Sequence, residues 1–493
     1  MKRRLTVSDI LAQSLFLGVC SEIVSSLGLR FDALDTDANG CISQLEFDAW
    51  QTASLSSHGF PRDTTAIVYG SISQPMTVAV EDFQHQNDAL LKEAVKGPTA
   101  EGAIAEGVRP FSSANKSSHR ARFRQLSEHT FVNITNPNPE SAGADLSAAL
   151  ADFAVVRIWL FVHVSITTGH ELPSITRAVE IVGRCADEEG GQCEVNGGFS
   201  QALFTAVGAV AALRLEALAL RFGASSSHGG ALRLSDGASA VLLRCALEFN
   251  RAEQHGGAVH CAGCALTLMA SVFNNNSAGG SAGALWADTG AVVEVSDATE
   301  FSGNEAASSG GAMSLADATL HMHGSVVRGN KAYLHGGAIF GSGSSLTISS
   351  SNVHDNVALE GSGGGLSVSE GGSITVRQSN ISWNVAQRGG GVYVSESACR
   401  LDEDTVVSHN RAALYGGGVC MVRQSSLTAG GRTSLVRNGA GRSGGAISVE
   451  KEGELLLGGR SHVLMNVAGE FGGGMPRLVL NLGRSPTAVC TGA

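Results

Sequence analysis

From residue 250 onward one asparagine returns at near-constant spacing: Asn250, Asn276, Asn304, Asn330, Asn356, Asn384, Asn410, Asn438 and Asn466, at intervals of 26 or 28 residues. A fixed period of this size marks one supersecondary unit repeated along an axis, which excludes most globular folds for this part of the chain. Three residues before each Asn stands an apolar residue: Leu247, Phe273, Phe301, Val327, Val353, Ile381, Val407, Leu435 and Val463. About eight residues after it comes a small-residue turn followed by another apolar residue, as in Gly256-Gly257-Ala258-Val259, Gly310-Gly311-Ala312-Met313 and Gly336-Gly337-Ala338-Ile339. Between turns, pairs such as Leu266/Leu268, Val293/Val295, Leu346/Ile348 and Ile374/Val376 alternate with period two, the mark of short strands.

Two or three strands per repeat, with a turn at fixed offset and no helix, can bury their inward faces only by coiling and stacking on the next repeat. The expected result is a parallel β-helix, right-handed, of about nine to twelve coils. Composition agrees: Gly is 63 of 493 residues and Pro only 9, a Gly excess without Pro that fits neither collagen nor Pro-rich disorder. Asn is expected to take left-handed backbone at a turn and to bond to its counterpart one coil away, forming a ladder. Gly-Gly-Ala is expected where stacked turns leave no room for side chains. The pattern extends weakly back to Leu220 and His228-Gly229-Gly230-Ala231-Leu232, and runs at 155–166, 178–182 and 203–220 supply the first coils and a cap. With apolar-x-x-Asn and Gly-Gly-Ala-apolar combined, residues 220–475 resemble the polymorphic outer-membrane protein repeats of chlamydiae, within the broader pectin-lyase-like β-helix class. Only Phe273 and Phe301 keep that family's Phe, and several turns read Gly-Gly-Gly. The resemblance implies adhesion and a cell-surface or extracellular location; a cytoplasmic one stays open, because Asp9 and Gln13 interrupt the apolar run after Lys2-Arg3-Arg4 that would serve as a leader.

The amino-terminal part differs in kind. Residues 35–46 read Asp-Thr-Asp-Ala-Asn-Gly-Cys-Ile-Ser-Gln-Leu-Glu. Calcium wants six to eight oxygens, and the loop can supply them. Asp35, Asp37 and Asn39 offer side-chain oxygens, Gly40 takes the sharp turn, Cys41 offers its carbonyl, Ser43 acts directly or through water, and Glu46 closes the site bidentately. Leu27, Phe31 and Leu34 before the loop, and Phe47 and Trp50 after it, recur at spacings of three and four, the apolar stripes of two flanking helices. This unit resembles the EF-hand superfamily. A degraded partner follows at 71–82, where Pro75 and Met76 stand where a ligand and the turn glycine belong; it pairs without binding.

The chain is thus expected to be multidomain, a small all-α EF-hand pair at 1–92 followed by the all-β solenoid. A linker spans 93–150, first coils and cap 151–222, repeats 223–476 and a tail 477–493. A formal net charge of -11 leaves no basic footprint for nucleic acid, and no stretch is apolar enough to cross a membrane as a helix. Cys185 with Cys193 and Cys261 with Cys264 read as structural thiols or local disulfides, since a single CxxC lacks the second pair of a zinc site. His228, His255 and His335 share one turn position, the first two stacking as a polar ladder, while Asp402, Glu403 and Asp404 read as solvated surface acid. Sequons stand at Asn115, Asn133, Asn275 and Asn380. Calcium binding through one loop, with a non-catalytic β-helix offering a surface to protein or glycan, is the expected function. The alternative is a carbohydrate-active lyase- or hydrolase-like β-helix with calcium as a structural or regulatory ion, which needs carboxylates converging on one groove.

Overall fold

A computed structural model describes residues 130–166, 171–185 and 192–469, with the backbone of 488–491. The EF-hand loop at 35–46, its degenerate partner and the first part of the linker lie outside the described residues. The described residues form a right-handed parallel β-helix of about twelve turns. Each full coil holds four strands rather than two or three. In the coil opening at Val259 these are Val259–Ala262 on sheet I, Ala265–Met269 on sheet II, Val272–Asn274 on sheet III and Ser277–Ala278 on sheet IV. The fourth strand, two residues long, is too short to show an alternation in sequence.

Register holds from coil to coil, so each side chain sits on its counterpart. Leu266 lies over Val293, Leu320 and Leu346 in turn, and Phe273 over Phe301 and Val327. These inward columns are fully buried, and the Phe273 and Phe301 rings stack with centroids 4.5 Å apart. Burying each such side chain contributes about 1.5–3 kcal/mol, so the interior is the main source of stability.

The asparagines form the expected ladder, with one change. The left-handed residue is the one before each Asn, as at Phe249, Asn275, Gly303, Asp355 and Trp383, and the Asn side chain turns inward from it. In Asn276 the backbone N–H and the side-chain amide both donate to Oδ1 of Asn304, at 3.0 and 2.9 Å, and the amide also donates to the carbonyl of Leu247 at 2.8 Å. The apolar-x-x-Asn motif is therefore one device. The apolar residue fills the core and lends its carbonyl to the Asn of the next coil. The turn glycines divide their work as well: Gly256, Gly310 and Gly336 take φ of +64°, +70° and +64°, while the following glycine faces the next coil's backbone.

The two ends of the solenoid depart from the sequence expectation. Residues 130–150, expected within the linker, hold the outermost strand of sheet II (Thr130–Ile134, parallel to Val155–Leu160) and all but the last residue of a helix, α1, Pro139–Ala151. Asn138 is its N-cap, accepting from the N–H groups of Glu140 and Ser141, and Pro139 opens the first turn. The helix buries Ala142, Gly143, Leu146, Ala149 and Leu150 on the first coils, covering an end that a solenoid must protect. In the expected tail, Ala488–Thr491 pairs antiparallel with Glu454–Leu457 and closes the far edge of sheet II. Cys185–Cys193 and Cys261–Cys264 are disulfides, the second bridging the corner between sheets I and II, whereas Cys245, Cys399 and Cys420 are free and buried.

Candidate functional site on sheet I

The outer face of sheet I gathers histidines, aromatic rings and a carboxylate in mutual contact. In each coil, the residue after the inward apolar one faces out. Register aligns these positions as Arg233, His260, Trp286, Ser314, Phe340, Ser367, Tyr393, Cys420 and Ser448. Aromatic rings thus recur on alternate coils at Trp286, Phe340 and Tyr393, about 9.6 Å apart at the usual strand spacing. The small residues that alternate with them, Ser314 and Ser367 between the rings and Cys420 after the last, are almost fully buried, while the three aromatics keep partial exposure. A second column, the residue before each turn glycine, runs beside the first and holds His228, His255, His335, Arg388 and Tyr415.

Two clusters result. In the first, His228 stacks on His255 at 5.3 Å, as expected, and lies 4.7 Å from His260, and His255 stacks on Trp286 at 4.5 Å. Asp288 ties them together. It accepts from the Trp286 indole N–H at 2.7 Å and from the Thr289 hydroxyl at 3.0 Å, and lies 3.4 Å from His260 Nε2. His255 Nδ1 accepts the Ser281 N–H at 2.9 Å, which places the proton of the neutral ring on Nε2. Arg233 is anchored, donating to the His228 carbonyl at 2.6 Å and to the Ser225 hydroxyl. In the second cluster, His335 accepts from the Ser362 N–H and lies beside Phe340 and Tyr393, with centroids 6.0 and 6.3 Å away. Arg388 sits over the Tyr415 ring.

Burial holds the pKa of His228, His255, His260 and His335 below its ordinary value, and in the first cluster the imidazoles depress one another further. For Asp288, burial opposes ionisation, but the hydrogen bonds from Trp286, Thr289 and His260 outweigh it and keep its carboxyl below the usual range. At neutral pH the face therefore presents neutral imidazoles and three partly exposed rings, with the Asp288 carboxylate in the first cluster and Glu450 3.7 Å from Arg388 beside the second.

Protonation should work against this packing. The histidines bind protons less readily folded than unfolded, so their contribution to stability is complete above the unfolded value of about 6.5 and is lost as pH falls below it. Thermal unfolding is expected to show the melting temperature dropping from pH 7 to pH 5, with a visibly shallower drop in a His228→Gln/His255→Gln double variant. Equal slopes would remove the cluster as the cause.

Carboxylates that the stacking brings together are bridged by arginine: Glu180 and Glu216 both meet Arg214, and Glu194 and Glu248 both meet Arg221. Of the acidic run expected as solvated surface, Glu403 and Asp404 are exposed and Asp402 is buried, and each meets an arginine: Asp402 with Arg400 at 2.6 Å, Glu403 near Arg377 at 4.0 Å, and Asp404 with Arg432. Hydrogen bonding to arginine holds both aspartates below the usual range, the wrong direction for a general acid. The expected calcium ligands Asp35, Asp37, Asn39, Cys41, Ser43 and Glu46 lie outside the described residues. Within the described residues no group of three or more His, Cys, Asp or Glu could hold a metal ion, and no helix is long and apolar enough to cross a membrane.

A family described as the right handed beta helix region matches residues 259–434, which include most of both clusters. Over that span the chain is similar to right-handed β-helix proteins. The A-module of the mannuronan C-5 epimerase AlgE6 from Azotobacter vinelandii aligns at 12% identity and a TM-score of 0.40, over 71% of this chain and all of that module. No curated protein matches the chain.

Sequence reasoning found the turn histidines but missed His260, Trp286, Asp288, Phe340 and Tyr393. A signal was present: aligned on the Gly-Gly turn, the position after the apolar residue reads His260, Trp286, Ser314, Phe340, Ser367 and Tyr393, aromatic on alternate coils from Trp286 on.

Proposed function

We propose that this protein binds calcium through its EF-hand loop and holds an extended glycan along the outer face of sheet I without turning it over. The alternate-coil column of Trp286, Phe340 and Tyr393 carries the glycan part of this reading. Sugar rings have C–H faces that pack on aromatic surfaces and hydroxyl rims that need donors and acceptors. Aromatic platforms two coils apart repeat at a length close to that of a disaccharide unit, so a linear chain lying along the solenoid axis meets each in turn. Beside them, the His255 Nε2–H donates and the ionised Asp288 accepts. The calcium part rests on the loop Asp35, Asp37, Asn39, Cys41 carbonyl, Ser43 and Glu46, in which every template position is filled by a suitable residue.

One observation favours the enzymatic alternative: His260 and Asp288 form a potential proton-transfer pair on the same face. The pair lacks a second catalytic carboxylate, and Asp402 and Asp404 are engaged with arginine.

Both readings meet in one experiment, affinity electrophoresis of the full chain through gels holding soluble neutral or acidic polysaccharides, beside a calcium titration. Retardation by at least one polysaccharide is expected, weakened about thirtyfold by Trp286→Ala, the size of an aromatic hot spot. Glu46→Gln should abolish calcium heat. Absence of retardation throughout would sink the glycan reading, new reducing ends or unsaturated products would establish the enzyme, and unaltered calcium heat in Glu46→Gln would displace the EF-hand.

A further inference from the structure

Three sequons fall within the described residues, and the fold treats their acceptor side chains alike. Asn133 lies on the outermost strand of sheet II, Asn275 at the corner between sheets III and IV, and Asn380 on sheet III; all three are exposed. The contrast at Asn274-Asn275-Asn276 is informative. Asn276 is fully buried, with its amide and carbonyl both consumed by the ladder, and Asn274 does not begin a sequon. Asn275, left-handed at φ +53°, stays exposed and is followed by Asn276-Ser277. Asn380 donates to Asn352 Oδ1 at 3.0 Å, a bond that a glycosylated amide can keep because the modified nitrogen retains one hydrogen. None of the three lies on sheet I.

A second observation points to the compartment in which such sites are used. Cys185–Cys193 and Cys261–Cys264 are disulfides, which form and persist in oxidising compartments.

We propose that Asn133, Asn275 and Asn380 are N-glycosylation acceptors, and that their oligosaccharides clothe sheets II and III while leaving the aromatic face of sheet I bare. The transfer consumes a lipid-pyrophosphate-linked oligosaccharide. The amide nitrogen attacks the anomeric carbon, an N–C bond forms, the C–O bond to pyrophosphate breaks, and the lipid pyrophosphate departs as the amide gives up one proton. The assignment is independent of what sheet I binds.

The test is translation of the full chain, behind a cleavable leader, with endoplasmic-reticulum microsomes, read by gel mobility before and after endoglycosidase. Asn133→Gln, Asn275→Gln and Asn380→Gln should each migrate one glycan faster than the parent chain. Ser277→Ala and Ser382→Ala, which leave the asparagines intact, should reproduce the second and third shifts. A variant that migrates with the parent removes that residue from the assignment. Parental mobility for both Asn275→Gln and Asn380→Gln overturns the proposal. Peptide mapping after glycan release adds a position-by-position check, since each occupied Asn is recovered as Asp.

Discussion

Asn356→Ala is expected to destabilise the β-helix by about 4 kcal/mol, at the upper end of what a single substitution does. The Asn356 side chain is fully buried near mid-solenoid. Its Oδ1 accepts from the backbone N–H and the amide of Asn330, and its amide donates to Val327, His354 and Asn384. Truncation leaves the Asn330 N–H without a partner in a dry interior and opens a gap the size of an amide. Urea unfolding followed by circular dichroism checks the magnitude. Hydrogen exchange checks the locality, because each coil touches only its neighbours and protection should fall first at Asn330. Asn466→Ala, at the partly exposed end of the ladder, should cost about 1 kcal/mol. Equal losses at the two positions would mean that the asparagines act through turn conformation rather than through the ladder.

Gly337→Ala is the second large effect. A Cβ on Gly337 would stand 2.2 Å from the Gly364 carbonyl oxygen and 2.6 Å from the Val357 carbonyl carbon, both backbone atoms of the next coil. Neither can yield without separating coils whose hydrogen bonds are already at 2.9 Å, as between the Gly337 N–H and the Gly363 carbonyl. The loss should exceed about 4 kcal/mol and appear as a collapse in soluble, folded yield. Gly371→Ala is the control. Its φ is +75° but no atom lies within 4 Å of the added carbon, so only the left-handed backbone is penalised, by about 1–2 kcal/mol. If Gly337→Ala cost no more than Gly371→Ala, steric exclusion by the next coil would not be the reason for glycine at position 337.

Much of the solenoid was legible because its physics is local and repeated. Leu266 and Leu268 announce a strand by alternation, and Asn276 and Asn304 announce a coil by recurring. The stack of His228 on His255 followed from a shared turn position. What escaped was structure stated only once. Asn138-Pro139-Glu140 carries the signals of a helix start, but it follows Asn136-Pro137, and the run reads equally as a linker. Only the packing of Leu146 and Leu150 on the first coils makes α1 a cap. Most strands of sheet IV were invisible because they have two residues and alternation needs more; only Val385–Arg388 and Arg411–Tyr415 are longer.

The coil itself is dictated residue by residue along the chain. Its period, its inward columns and its glycine turns are each forced by the need to bury short apolar strands without edges, and that need is written in every repeat. The outer faces are settled by stacking instead. Whether His260, Trp286 and Asp288 meet depends on register between residues 26 or more apart in the chain, and whether Asp404 stands as a free acid depends on Arg432 of the next coil reaching it. A chain read one residue at a time contains the members of the sheet I site, but only the placement of one coil on the next makes them a surface.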